Sequence, residues 1–142
     1  MPIRLAESDD DILACFPTMR QLRPHLVRDE FPARVRRQAE QGYRLAMLED
    51  GGRVVAAAGF RLIENLAWGR HVYVDDLVTD ESSRSCGHGE TLFDWLVEFA
   101  REHGCQELHL DSGVQRFDAH RFYLRHRMRI TSHHFALRLA DS

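Results

Sequence analysis

At 142 residues, 44% hydrophobic and 29% charged, the chain has the length and composition of one folded domain with a buried core, residues 1–142. A net charge of −3 argues against general polyanion binding, so nucleic acid is not an expected partner. No apolar run approaches the roughly 18 residues of a membrane span, and no leader-like segment is visible, so no membrane partner is expected. Cys15, Cys86 and Cys105 show no C-x-x-C spacing and no even pairing, which suits a reduced cytoplasmic setting.

Ile3 to Ala6 alternates and predicts a first strand. Ser8-Asp9-Asp10-Asp11 resembles a capping box opening a helix through Ile12, Leu13, Cys15 and Phe16, with Pro17 and Pro24 as punctuation. Pro32 suits the first turn of a second helix that Gly42 stops. Its Arg34, Arg36 and Arg37 read first as a solvated face and, alternatively, as a binder of an anionic substrate. Tyr43 to Glu49 and Arg53 to Ile63 predict strands joined by the hairpin signal Asp50-Gly51-Gly52. Val54 to Phe60 is a small apolar run suited to a strand buried on both faces.

Glu64 to Gly69 predicts a loop and His71 to Thr79 a fourth strand. Glu90 to His103 predicts a helix, with Leu92, Trp95, Leu96 and Phe99 on its core face and Gly104 at its end. Leu108 to Asp111 predicts a fifth strand, Ala119, Phe122 and Tyr123 share a helix face, and His133 to Leu139 predicts a last strand. The fold class is α/β (α+β), with a mixed sheet and helices on both faces. No histidine or cysteine spacing points to a metal.

Arg84-Ser85-Cys86-Gly87-His88-Gly89 lies between a strand and a helix N-terminus. Such a turn offers unpaired N–H groups and the positive end of a helix dipole, which suits a diphosphate. Its glycines permit close backbone approach, and Arg84 can add a charge-assisted contact. A nucleotide P-loop is excluded because the chain contains no lysine, and Leu92 stands where a dinucleotide fingerprint needs its third glycine.

The remaining pattern, R-x-x-G-x-G, resembles the acyl-CoA pyrophosphate loop of the GNAT N-acetyltransferase superfamily, written Q/R-x-x-G-x-G/A. Val74-Asp75-Asp76-Leu77-Val78 before it and Ala119-His120-Arg121-Phe122-Tyr123 after it are similar to the flanking motifs of that superfamily. The resemblance implies a mostly antiparallel sheet of six to seven strands, splayed between the fourth and fifth. It implies acetyl-CoA as co-substrate, direct acetyl transfer to an amine, and no covalent enzyme intermediate. Arg84, Ser85, Cys86, Gly87, His88, Gly89 and Glu90 would receive the diphosphate. The backbone of Leu77, Val78 and Thr79 would align the pantetheine arm, with Asp118 and His120 bordering the cofactor.

Tyr123 occupies the position that the superfamily uses as general acid toward the thiolate. A phenol can do this, although a tyrosine on an amphipathic helix can also be plain core. Asp75 and Asp76 are both candidates for the base, with Glu64 as a weaker one. Adjacent strand residues face opposite sides, so one of the pair should face the acceptor unless a bulge intervenes. Arg127-Met128 stands where the superfamily has Gly-Phe, which predicts an altered helix exit, and Asp118 replaces a frequent asparagine.

Arg116 to Arg125 looks similar to aminoalkylphosphonate N-acetyltransferases, which implies a small-molecule amine acceptor. A peptide or protein amine, and a non-catalytic acyl-CoA sensor on the same fold, are the alternatives. Edge pairing of the last strand would make a homodimer.

Overall fold

A computed structural model describes residues 2–140. The chain forms two compact units, Met1–Leu110 and Asp111–Ser142.

In the first unit the strands are β1 (Ile3–Leu5), β2 (Tyr43–Asp50), β3 (Arg53–Asn65), β4 (Gly69–Thr79) and β5 (Glu107–Leu110). They lie side by side in chain order, antiparallel except for the parallel pair β4 and β5. A two-residue turn, Gly51-Gly52, joins β2 to β3. Both glycines are left-handed, at φ 61° and 77°, as a type I′ hairpin turn requires.

The helices are α1 (Asp9–Leu22), α2 (Phe31–Ala39) and α3 (His88–Glu102). Ser8 caps α1 by accepting a 3.1 Å hydrogen bond from the Asp11 amide. Pro17 lies inside α1 rather than interrupting it. Ile12, Cys15, Phe16 and Met19 are buried around it, and this packing outweighs the missing amide. Pro32 sits in the first turn of α2, and Gly42 follows its end at φ 90°.

Two apolar layers sandwich the sheet. On one face, Ile12, Cys15 and Met19 of α1 and Phe31 and Val35 of α2 pack on Tyr43, Leu45, Met47 and Ala57. On the other, Leu92, Leu96 and Ala100 of α3 pack on Leu48, Val55, Phe60, Val72 and Val74. Val54 to Phe60 is buried throughout, as expected of a central strand.

The second unit contains α4 (Phe117–Arg125). Arg127 follows it at φ 69°, so arginine adopts the left-handed conformation that a glycine would supply there. The Arg127 and Met128 amides donate to the Leu124 and Tyr123 carbonyls at 3.1 Å each. That is a Schellman closure, so the exit expected to change keeps its hydrogen bonds. The predicted last strand is absent. His133 to Leu139 has no strand assignment, and the sheet has five strands among the described residues, not six or seven. The described helices include none long and apolar enough to cross a membrane.

Candidate active site

Two devices in the first unit converge on β4. The first is a bulge. Gly59 pairs with Asp76 and Phe60 with Val74, which leaves Asp75 without an opposite residue. Val72 and Val74 lie in the α3 layer before the bulge, whereas Leu77 lies there after it. The parity of the strand therefore flips, and both Asp75 and Asp76 face the side of α1 and α2.

The two carboxylates are held separately. Asp76 accepts 2.8 Å from Tyr43 Oη and 2.9 Å from Arg23 Nε, and Arg23 Nη2 also donates 2.9 Å to the carbonyl of Asp75. Asp75 receives Arg61 Nε at 3.0 Å on Oδ2, and Arg61 reaches on to Gln38 Oε1 at 3.2 Å. Burial pushes the Asp75 carboxyl above its ordinary value, against the opposing pull of Arg61. Burial and the adjacent Asp76 carboxylate push the Tyr43 phenol well above the usual tyrosine range, so Tyr43 is a donor to Asp76.

Tyr43 reaches Asp76 by lying across β3. It pairs with Arg61, and its ring crosses over Gly59. A Cβ at Gly59 would lie 1.8 Å from Tyr43 Oη and 2.3 Å from its Cζ. Glycine is therefore required here by close approach of a side chain. Glu64 is exposed and pairs with Arg70, five residues along β3 from Gly59 and hence roughly 17 Å away at strand rise. It is not part of this cluster.

The second device is the edge and turn that follow. β5 pairs with β4 only over His71–Val74, so among the described residues Asp75 to Thr79 has no strand partner on that side. The backbone of Leu77, Val78 and Thr79 is thus open on one edge, as the expected splay requires. Beyond a 3-10 turn at Glu81–Ser83, Ser85 (φ 72°) and Gly87 (φ 82°) both take left-handed conformations, and Gly87 caps α3. Left-handed residues leading into a helix N-terminus turn successive amides into a concavity that suits an anion.

Arg84 and Cys86 are exposed, and so is Glu90 in the first turn of α3. The imidazole of His88 is buried, so this residue can offer only its backbone to a ligand, and Gly89 is half-buried. Burial lifts the Cys15 thiol to about 12, which leaves it inert.

In the second unit, burial raises the Tyr123 phenol above the ordinary tyrosine value, and Arg116 partly offsets this. Tyr123 is therefore a proton donor at neutral pH. His120 Nε2 donates 2.8 Å to the Gly113 carbonyl, so that nitrogen is occupied. Asp118 is exposed and pairs with Arg121 at 2.5 Å. No cluster of three metal-ligating side chains occurs among the described residues.

Sequence reasoning missed Tyr43, Gly59, Arg23 and Arg61. Gly59 carried the signal, since glycine inside a strand marks a bulge or a close approach.

Residues 8–127 match the model of the acetyltransferase (GNAT) family. The chain is 32% identical over 117 residues to YhdJ of Bacillus subtilis (strain 168), an uncharacterized N-acetyltransferase, covering 82% of each chain. Its fold is similar to AAC(6')-Iy in complex with a CoA-S-monomethyl-acetylneamine bisubstrate analogue (TM-score 0.83, 14% identity, 98% and 97% of the two chains). It is equally similar to ribosomal-protein-alanine N-acetyltransferase from Brucella melitensis biovar Abortus 2308 (TM-score 0.83, 17% identity, 98% and 100%).

Proposed function

Because the chain belongs to the acetyltransferase (GNAT) family and is an acyltransferase, we propose that it moves the acetyl group of acetyl-CoA directly to the amine of a small molecule. The observation that carries this reading is the bulge that turns Asp75 and Asp76 to one face of the sheet beside an unpaired stretch of β4. A thioester laid along that edge would bring its carbonyl next to two carboxylates suited to a cationic amine. Both are largely enclosed, with side chains 23% and 15% exposed, which favours a small acceptor over an extended peptide.

Each step has an assigned group. The left-handed turn from Arg84 to Gly89 and the N-terminus of α3 hold the diphosphate, and Arg84 adds charge. The backbone of Leu77, Val78 and Thr79 aligns the pantetheine arm. Asp76, fixed by Tyr43 and Arg23, holds the ammonium. Asp75, its carboxyl raised by burial, takes the proton whose loss frees the amine's lone pair for attack. The new C–N bond forms as the C–S bond breaks, Tyr123 gives its proton to the leaving thiolate, and the surplus proton on the new amide nitrogen leaves to solvent. Both units serve one acetyltransferase domain in this reading, in the cytoplasm, where acetyl-CoA is present. Asp118 and His120 are assigned at most a border role, since Arg121 and the Gly113 carbonyl already engage them.

Thiol release from acetyl-CoA, followed across a panel of small amines including aminoalkylphosphonates and a panel of peptides, tests the reading. Turnover of small amines is expected, and turnover confined to peptides would refute the small-molecule acceptor.

A homodimer belongs to the same proposal. Phe135, Leu137 and Leu139 alternate and are 91%, 84% and 89% exposed, an arrangement suited to pairing with an edge strand of a second copy.

A further inference from the structure

The turn between the pantetheine edge and the diphosphate loop is built around a carboxylate that the mechanism above does not use. Asp80 is 7% exposed, and every polar group it owns is engaged. Its Oδ1 accepts 2.6 Å from Gln21 Nε2 of α1, and its Oδ2 accepts 2.8 Å from Arg53 Nη1 at the start of β3 and a short bond from Ser82 Oγ. Its amide donates 2.8 Å to the Val55 carbonyl, and its carbonyl accepts 2.9 Å from the Ser83 amide.

Two of these three partners, Gln21 and Arg53, are used twice. Gln21 Oε1 receives the Glu81 amide at 2.8 Å, and Arg53 Nη2 donates 3.1 Å to Ser83 Oγ. Hydrogen bonds from Ser82, Gln21 and Arg53 hold the Asp80 carboxyl well below the usual carboxylate range.

These bonds fix residues 80 to 83 to two separate elements, α1 and β3. Those four residues are all that lies between Thr79, the end of the open edge, and Arg84, the start of the left-handed turn. We propose that Asp80 is a positioning residue for coenzyme binding. By locking this short turn, it sets the spacing and aim of the backbone amides that receive the diphosphate. The proposal rests on the reading that Arg84 to Gly89 holds the diphosphate of coenzyme A. A turn already locked loses little freedom on binding, whereas a loose one must be ordered at the expense of affinity.

Electrostatics and positioning make opposite predictions for Asp80→Asn. The substitution removes a negative charge near the proposed diphosphate and frees Arg53, so charge alone predicts tighter binding of the anion. Loss of the clamp predicts weaker binding.

The test is isothermal titration calorimetry with coenzyme A at 15 °C, on full-length protein shown by circular dichroism to be folded. Asp80→Asn is expected to weaken binding about tenfold. Gln21→Ala, which alters no charge, is expected to weaken it about threefold and stands in if Asp80→Asn does not fold. Val35→Ala, a core truncation on α2, controls for lost stability and should leave the affinity within twofold. Unchanged or tighter binding by Asp80→Asn, or by Gln21→Ala where it stands in, overturns the proposal. A wild-type protein that fails to bind coenzyme A overturns the diphosphate reading itself and this inference with it.

Discussion

Gly59→Ala isolates the arrangement on which the carboxylate pair depends. The residue is not in a left-handed conformation, so alanine meets no backbone objection. The obstacle is steric, because the new methyl would sit 1.8, 2.3 and 2.6 Å from three atoms of the Tyr43 phenol. A rigid ring pinned over the sheet cannot yield by tenths of an ångström, so it must leave. Its departure forfeits burial of an aromatic side chain that is 7% exposed, about 1.5–3 kcal/mol. It also forfeits the hydrogen bond to the charged Asp76, about 1.5–3 kcal/mol.

The expected loss of stability is therefore about 3–6 kcal/mol, read as a fall in Tm of roughly 10–20 °C. Thermal and urea unfolding measure it, and a double-mutant cycle with Tyr43→Ala identifies its cause. Tyr43→Ala alone should cost about 3–5 kcal/mol. Once the ring is gone the methyl has room, so Gly59→Ala should add under about 1 kcal/mol. Additive losses, or a single Gly59→Ala variant within about 0.5 kcal/mol of wild type, would refute the claim that the Tyr43 ring occupies that space.

Three further outcomes follow from the assigned roles. Tyr123→Phe should lower kcat by about 10²-fold or more while calorimetric affinity for coenzyme A is retained, and unchanged kcat removes Tyr123 from the chemistry. The acid limb of kcat/KM should lie above the ordinary aspartate value of 3.8, because Asp75 must be ionised to act and burial raises its native pKa. The same shift has the opposite sign for folding. The native state holds that proton more tightly than the unfolded chain, so this group's contribution to stability grows as pH falls through its native pKa. Asp75→Asn should abolish that limb, and a limb that persists assigns the base elsewhere. Light scattering should give twice the chain mass for wild type and the monomer mass for Leu137→Glu, and a monomeric wild type rejects the dimer.

The legibility of the chain in its sequence follows how local each signal is. The N-cap at Ser8, the Gly51-Gly52 hairpin and the buried run Val54 to Phe60 are stated by neighbouring residues, and the structure has each of them. Pro17 was overridden because the packing of Ile12, Cys15, Phe16 and Met19 is tertiary information. His133 to Leu139 alternates as a strand does, but alternation describes a face and not a pairing partner, and the structure gives it none in the sheet. Arg127 shows the converse. A left-handed arginine costs roughly 1–2 kcal/mol, and two backbone hydrogen bonds at 3.1 Å offset that cost, so the closure survives without its glycine.

The candidate site was legible as residue types and illegible as geometry. Asp75 and Asp76 read as alternatives because strand period two places neighbours on opposite faces. What makes them one site is the bulge opposite Gly59, and the partners that hold them come from α1 (Arg23, just past its end), β2 (Tyr43) and β3 (Arg61). Each of those residues carries an ordinary bland reading on its own. Tyr43 alternates like any core residue, and Arg23 and Arg61 look like solvated charges. Their meaning lies in one shared dependence. With a side chain at Gly59 the Tyr43 ring cannot cross β3, and without that crossing Asp76 loses the phenol donor that Asp75 does not share. The bare Cα in the middle of β3 is therefore as much a part of the candidate site as the two carboxylates it serves.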